Sequence, residues 1–149
     1  MAIDPASEED REWCARLMAG SDPWITLGRN LEQCRAKCRQ PEYELFLARR
    51  GDEPCGFILL HPRGAAGSPY ISIVAVAPEW RGQGFGTRLV DFAEARYAGS
   101  RYIFLCVSSF NPRARQLYQR LGYTTVGILE DYLVDGASEF LMHKRLVQR

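Results

Sequence analysis

Residues 81–87 read Arg-Gly-Gln-Gly-Phe-Gly-Thr and follow an apolar, β-branched run over 71–76. That run predicts a buried strand, and Pro78, which cannot donate to a sheet ladder, ends it. An amphipathic helix pattern begins directly after the glycines. Strand, glycine-rich turn and helix start together form an anion cradle. Glycines let a ligand approach the backbone, and the free N–H groups of the first helical turn all point towards it. A diphosphate suits that arrangement; taken alone, the glycines also fit a tight turn with no ligand. Two common phosphate loops do not match. A Walker A loop needs a Lys after its last glycine, and none follows Gly86. The dinucleotide fingerprint, counted from Gly82, puts Thr87 where its third glycine belongs.

A second chemical group lies further on, over 111–123. Asn111 is a strong helix N-cap and Pro112 suits the first helical position. Ala114, Leu117, Tyr118 and Leu121 recur at helical spacing on one face, and Gly122 supplies a left-handed C-terminal residue. Both groups resemble motifs of the GNAT superfamily of N-acetyltransferases. Arg81, Gly84 and Gly86 match its Arg-x-x-Gly-x-Gly loop after a Val-Ala-Val-Ala-Pro strand end. Asn111, Ala114 and Tyr118 match its Asn-x-x-Ala-x-x-x-Tyr motif, followed by Leu-Gly-Tyr.

The resemblance implies acetyl-CoA as cosubstrate. Its diphosphate would sit on the N–H groups of Gly82, Gln83, Gly84, Phe85, Gly86 and Thr87, with Arg81 at the rim. Its pantetheine amides would pair like an added strand with Val74, Ala75 and Val76, two parallel strands splaying to admit them. Backbone N–H groups of that segment would hold the oxyanion, a donor typically worth ~3 kcal/mol. Asn111 and Ala114 belong to the same cofactor surface. Tyr118 would protonate the departing thiolate: a phenol near ~10 stays protonated at neutral pH, and the thiol lies near ~8.5. Tyr118 is equally at home as a core residue of its helix face; the Asn111 spacing favours the catalytic role.

The general base is not assigned. One branch of the family, which acetylates ribosomal protein N-termini, carries a Glu five positions before the Asn. Here that position is Cys106, a poor proton acceptor in an apolar strand. Ser108 and Ser109 are candidates for a water chain. Glu130, Asp131 and Glu139 are candidates for reaching in from the last hairpin. A lysine amine costs about 4.6 kcal/mol to deprotonate at pH 7 and an α-amine about 1. A weak base therefore favours a protein N-terminus or a small-molecule amine as acceptor. Trp24 and Tyr132 are candidate acceptor-wall residues.

The elements that must position these groups follow from periodicity. A helix begins after Ser7 and ends at Gly20; a second is predicted from about Arg29 to Arg39. Strands over 43–48 and 55–61 flank a Gly51-Asp52-Glu53-Pro54 turn, and 63–69 reads as a loose loop. The central strand, the helix burying Leu89, Val90, Phe92, Ala93 and Tyr97, and the apolar run 102–107 imply a parallel pair with a right-handed crossover. Two strands around an Asp135-Gly136 turn close the chain. The order α-α-β-β-β-α-β-α-β-β predicts a mixed α/β fold, with no clear strand before Ser7, in one domain over 1–149. The same order characterises the GNAT fold.

Composition adds exclusions. Charged residues are 25% and the formal net charge is +1, which gives no electrostatic case for nucleic acid or an anionic membrane. The five cysteines are odd in number and lack an apolar leader, so reduced thiols in a cytoplasm are expected. Cys34 and Cys38 lie one helical turn apart, but His61 and His143 are isolated, so no metal is expected. Two other readings stay open: a CoA-binding module without catalysis, motivated by Cys106, and an acyltransferase using a longer acyl group.

Overall fold

The computed structural model describes residues 1–147. Its strands are β1 (Ala2–Pro5), β2 (Glu44–Arg50), β3 (Glu53–Ala65), β4 (Ser68–Val76), β5 (Tyr102–Ser108), β6 (Thr124–Leu129) and β7 (Glu139–Arg145). Its helices are α1 (Glu8–Ala19), α2 (Leu31–Cys38), α3 (Phe85–Arg96) and α4 (Pro112–Arg120). The strands form one mixed sheet in the order β1-β2-β3-β4-β5-β7-β6. Only β4 and β5 run parallel, joined by α3 as crossover.

Strand alternation sorts the side chains to two faces. Phe46, Ala48, Ile58 and Leu60 face α3 and α4, meeting Leu89, Val90 and Ala93. Leu45, Leu47, Phe57 and Leu59 face the other way, against Cys14, Met18, Cys34 and Cys38 of α1 and α2. Phe57, Ile58, Leu59 and Leu60 are all fully buried because the sheet is covered on both sides. Each contributes about 2 kcal/mol of apolar burial.

Local chemistry sets the helix ends. Ser7 and Asp10 form a reciprocal capping box at α1, and Asn30 and Gln33 do the same at α2. A clamp holds the far end of α3 to β2: Glu44 accepts from the Arg96 guanidinium at 2.6 Å and from the Tyr97 hydroxyl at 2.6 Å.

Four sequence expectations are corrected. A strand does precede Ser7: β1 pairs with β2 at the sheet edge from Ala2↔Arg49 to Pro5↔Phe46. The observed order is thus β-α-α-β-β-β-α-β-α-β-β. The segment expected as a loose loop is a tight hairpin, since β3 runs on to Ala65 and Ala65 pairs with Ser68. Helix α2 is shorter at both ends, because Asn30 caps it and Arg39 closes it. The last two strands are joined not by a two-residue turn but by residues 130–138, with Asp131 accepting from the Gly136 amide at 2.7 Å. No described helix is long and apolar enough to cross a membrane.

Candidate active site

The parallel pair makes the opening. β4 pairs with β5 only at Tyr70↔Phe104 and Ile71↔Leu105, whereas β3 stays paired with β4 as far as Gly56↔Val76. A register shift in β4, where Leu59↔Ile73 is followed by Leu60↔Ile71, leaves Ser72 as the extra residue. Beyond it the two parallel strands diverge. The backbone of Val74, Ala75 and Val76 therefore lacks a strand partner on its β5 side, and buried backbone groups require one. A cavity of about 1490 Å³ runs through this gap. Its walls come from α1 and α2 on one side, from α4 on the other, and from β4 and β5 between them. A single small-molecule site usually occupies roughly 300–1,000 Å³, so this space is larger than one such site.

The glycine loop follows at the end of β4, after a short 3-10 turn over Pro78–Trp80. Gly82 and Gly84 hold φ of 74° and 85°, left-handed values that only glycine adopts without strain. Gly84 caps α3 with no side-chain bond. The first bonded amide of the helix is that of Arg88, which donates to Gly84 at 3.1 Å. The N–H groups of Phe85, Gly86 and Thr87 are therefore left without helical partners at the positive end of the helix. Gln83 donates back to the Glu79 carbonyl, and Phe85 is buried with its ring edge-on to Trp80. Arg81 is exposed, and its Nε donates to the Val76 carbonyl at 3.0 Å. Val74, Ala75, Val76 and Arg81 line the cavity, whereas residues 82–87 do not, and Gln83 and Phe85 line a smaller recess with Met1, Arg50 and Arg88.

From the other wall, α4 brings Asn111, Ala114 and Tyr118 to the same cavity. The Asn111 side-chain oxygen accepts from the Ala114 amide at 3.3 Å, so it caps the helix that carries Tyr118. The Tyr118 ring packs edge-on against Tyr123 at 6.0 Å, and Tyr123 is tied through its hydroxyl to Glu94 at 3.0 Å. Burial alone pushes the Tyr118 phenol up to about 12. It stays a proton donor throughout the working pH range.

The proton acceptors are separated by burial. Glu130 and Asp131 are exposed, and the Asp131 carboxylate is engaged by the Gly136 amide. Ser109 is exposed and bonds the backbone before β7. Ser108 and Glu139 are buried and line the cavity, directly paired across β5 and β7. Cys106 is half-buried on the same face of β5. Burial raises its thiol, the nearby Tyr70 hydroxyl opposes that rise, and the Glu139 charge adds to it. Tyr70, which no sequence motif singles out, is held strongly upward by burial first and then by Cys106. Its signal was only its place beside the β4 irregularity. Trp24 and Tyr132 both sit on the cavity wall. Cys34 and Cys38 are core residues of α2, and the described residues contain no cluster of three metal ligands.

Comparison with known proteins agrees with this geometry. Residues 8–123 match the acetyltransferase (GNAT) family. An N-acetyltransferase of Methanocaldococcus jannaschii is 39% identical over 82 residues, 53% of this chain and 53% of its own length. The chain thus matches about half of that relative. The N-alpha-acetyltransferase RimI of Mycobacterium tuberculosis is 28% identical over 97% of this chain and 92% of its own. The solved structure of an aminoglycoside 6'-N-acetyltransferase complexed with coenzyme A superposes with a TM-score of 0.79 at 21% identity, covering 100% of this chain and 99% of its own. The chain belongs to the acetyltransferase (GNAT) family, a family of acyltransferase enzymes.

Proposed function

We propose that this protein transfers the acetyl group of acetyl-CoA to a primary amine by direct attack within a ternary complex. The observation that carries the proposal is the divergence of β4 and β5 after Ile71↔Leu105, which opens one cavity shared by the free edge of β4, by Arg81 at the start of the glycine loop and by Tyr118. The loop suits a diphosphate, since it offers unpaired N–H groups at a helix start and left-handed glycines without side chains. The edge of Val74, Ala75 and Val76, which β5 leaves without a strand partner, suits the pantetheine amides. Acetyl-CoA supplies an activated acyl carbon on a thiol leaving group. The protein's part is to hold the carbonyl oxygen on β4 amides, aim the sulfur at the Tyr118 hydroxyl and admit the amine from the α1–α2 side.

Direct attack is favoured over an acyl-enzyme. Cys106 is the cysteine on the cavity wall nearest the strand opening, and its thiol is raised, which disfavours the thiolate a nucleophile needs. For the acceptor, a low-pKa amine is favoured. An α-amine near ~7.8 costs about 1 kcal/mol to deprotonate at pH 7 and a lysine amine about 4.6. The name of the Mycobacterium tuberculosis relative points the same way, towards a protein N-terminus.

The test is CoA thiol release from acetyl-CoA across a panel of N-terminal peptides, small amines and lysine peptides. Acceptor-dependent release, fastest with α-amines or small amines, is expected. Tight CoA binding with no release for any amine would instead favour a non-catalytic module. Rapid acetylation confined to lysine peptides would reverse the acceptor assignment.

A further inference from the structure

Glu139 is the one carboxylate that the fold buries in the cavity wall. It is 7% exposed, at the start of β7, and none of the described ion pairs includes it. An unpaired buried charge is costly and persists where it serves a cationic or proton-bearing partner. Register fixes where it points. Ile103, Leu105 and Val107 of β5 face α3 and α4, so Cys106 and Ser108 face the α1–α2 side. Glu139 pairs with Ser108, and Leu141 pairs with Cys106. Glu139 is thus the diagonal neighbour of Cys106, one strand over and one pair along, at a spacing of about 7–8 Å between the two positions. Tyr118 enters the cavity from α4, on the opposite face of the sheet.

We propose that Glu139 is the general base, the carboxylate that takes the proton from the acceptor amine, and that it replaces on β7 the carboxylate absent from position 106 on β5. This rests on the acetyl-transfer reading above. The acceptor ammonium gives one proton to Glu139. The freed nitrogen lone pair forms the N–C bond to the thioester carbonyl carbon, and the C=O electron pair moves onto oxygen. That pair returns as the C–S bond breaks, and the sulfur takes a proton from Tyr118. The second nitrogen proton restores Tyr118 through cavity water, and Glu139 releases its own to solvent. The balance is one ammonium and one thioester to one amide, one thiol and one proton.

Other titratable groups do not fill this role. Asp22, the other carboxylate on the wall, is exposed, and its Oδ1 accepts from both the amide and the hydroxyl of Thr26. Tyr70 of β4 and Cys106 of β5 lie near enough to feel the Glu139 charge, and Tyr43, Lys37, Arg29 and Arg113 line the same cavity. Tyr70 and Cys106 are held protonated by burial. The Lys37 ammonium is spent on the Tyr43 hydroxyl at 2.7 Å, and Arg29 and Arg113 are exposed.

The experiment compares wild type with Glu139→Gln on the best acceptor of the panel, following kcat, both KM values and the pH dependence of kcat. Expected for Glu139→Gln is a kcat loss of about 100-fold, acceptor KM within twofold, unchanged CoA affinity, and loss of the acid-side inflection that wild type shows. Adding Cys106→Glu to Glu139→Gln should restore part of kcat and the inflection. An unchanged kcat profile, or a loss confined to acceptor KM, would overturn the assignment. If Glu139→Gln does not fold, Glu139→Asp takes its place: lower kcat with the inflection kept supports the base, and full kcat overturns it. A wild-type protein with no acceptor-dependent release defeats the acetyl-transfer reading itself, and this assignment with it.

Discussion

Removing the Tyr118 hydroxyl isolates one atom of the proposed chemistry. In Tyr118→Phe the ring keeps its edge contact with Tyr123 and its place on α4, so stability and CoA affinity should stay close to wild type. The magnitude follows from the environment of the phenol. Burial raises it to about 12, while a free thiol lies near ~8.5. Complete proton transfer to the thiolate would then run uphill by roughly 5 kcal/mol, at 1.36 kcal/mol for each pKa unit. Tyr118 therefore acts chiefly as a hydrogen-bond donor to the charge developing on sulfur, and its proton passes to sulfur only as the second nitrogen proton replaces it through cavity water. A hydrogen bond to a charged group is worth about 1.5–3 kcal/mol, so kcat should fall by roughly 10- to 150-fold with both KM values little changed. Because burial raises the phenol, Tyr118 should contribute no alkaline inflection below pH 10. The assay is thiol release at saturating substrates from pH 6 to pH 10. Full kcat in Tyr118→Phe would refute the reasoning. So would a wild-type inflection near pH 9–10 that the variant lacks.

Four further substitutions have defined outcomes. Gly84→Ala forces alanine into a left-handed conformation, φ 85°, with nothing within 4 Å of its Cβ; it should cost about 1–2 kcal/mol of stability and weaken CoA binding. Gly86→Ala, whose Cβ meets Leu117 and Val76 at an ordinary 3.9 Å, should stay within about 0.5 kcal/mol; calorimetry and CoA titration check both. Cys106→Ser should keep turnover within a few-fold, and mass spectrometry of enzyme quenched with acetyl-CoA should find no acetylated cysteine. The Glu44 carboxyl is held below its usual range, first by the Arg96 guanidinium, with burial opposing and the Tyr97 hydroxyl assisting. A depressed carboxyl stabilises the fold above its unfolded pKa, near ~4.3, and loses that contribution as pH falls through its folded value. Glu44→Gln should therefore lower stability by about 1 kcal/mol at pH 7, with the gap to wild type narrowing as pH falls below the unfolded value; a gap that stays constant down to acid unfolding would contradict the clamp.

The glycine loop and α4 were legible because their signals are local. Glycines at forced backbone angles, an Asn cap, a Pro at the first helical position and apolar residues at helical spacing all act within a few residues of one another. β1 was not legible because an edge strand buries little: only Ile3 of Ala2–Pro5 is even half-buried, so no alternation marks it. The β3–β4 hairpin hid behind residues 63–69, whose Gly, Ala and Pro composition favours a loop, while pairing along the neighbouring strands carries β3 on to Ala65. Glu139 was visible only as one of three acidic residues near the last hairpin. Its separation from Glu130 and Asp131 depends on β7 pairing with β5, a contact between residues about thirty positions apart in sequence. The opening itself is a tertiary property: a register shift at Ser72 and a parallel pair that stops after Ile71↔Leu105 leave no trace in residue type.

A crystal structure of the protein with bound CoA tests the central claim most directly. Expected are diphosphate oxygens within hydrogen-bond distance of the Phe85, Gly86 and Thr87 amides, pantetheine amides bonded to β4 between Val74 and Val76, and the sulfur beside the Tyr118 hydroxyl. A nucleotide bound elsewhere, or β4 and β5 paired along their full length with CoA outside the gap, would contradict it.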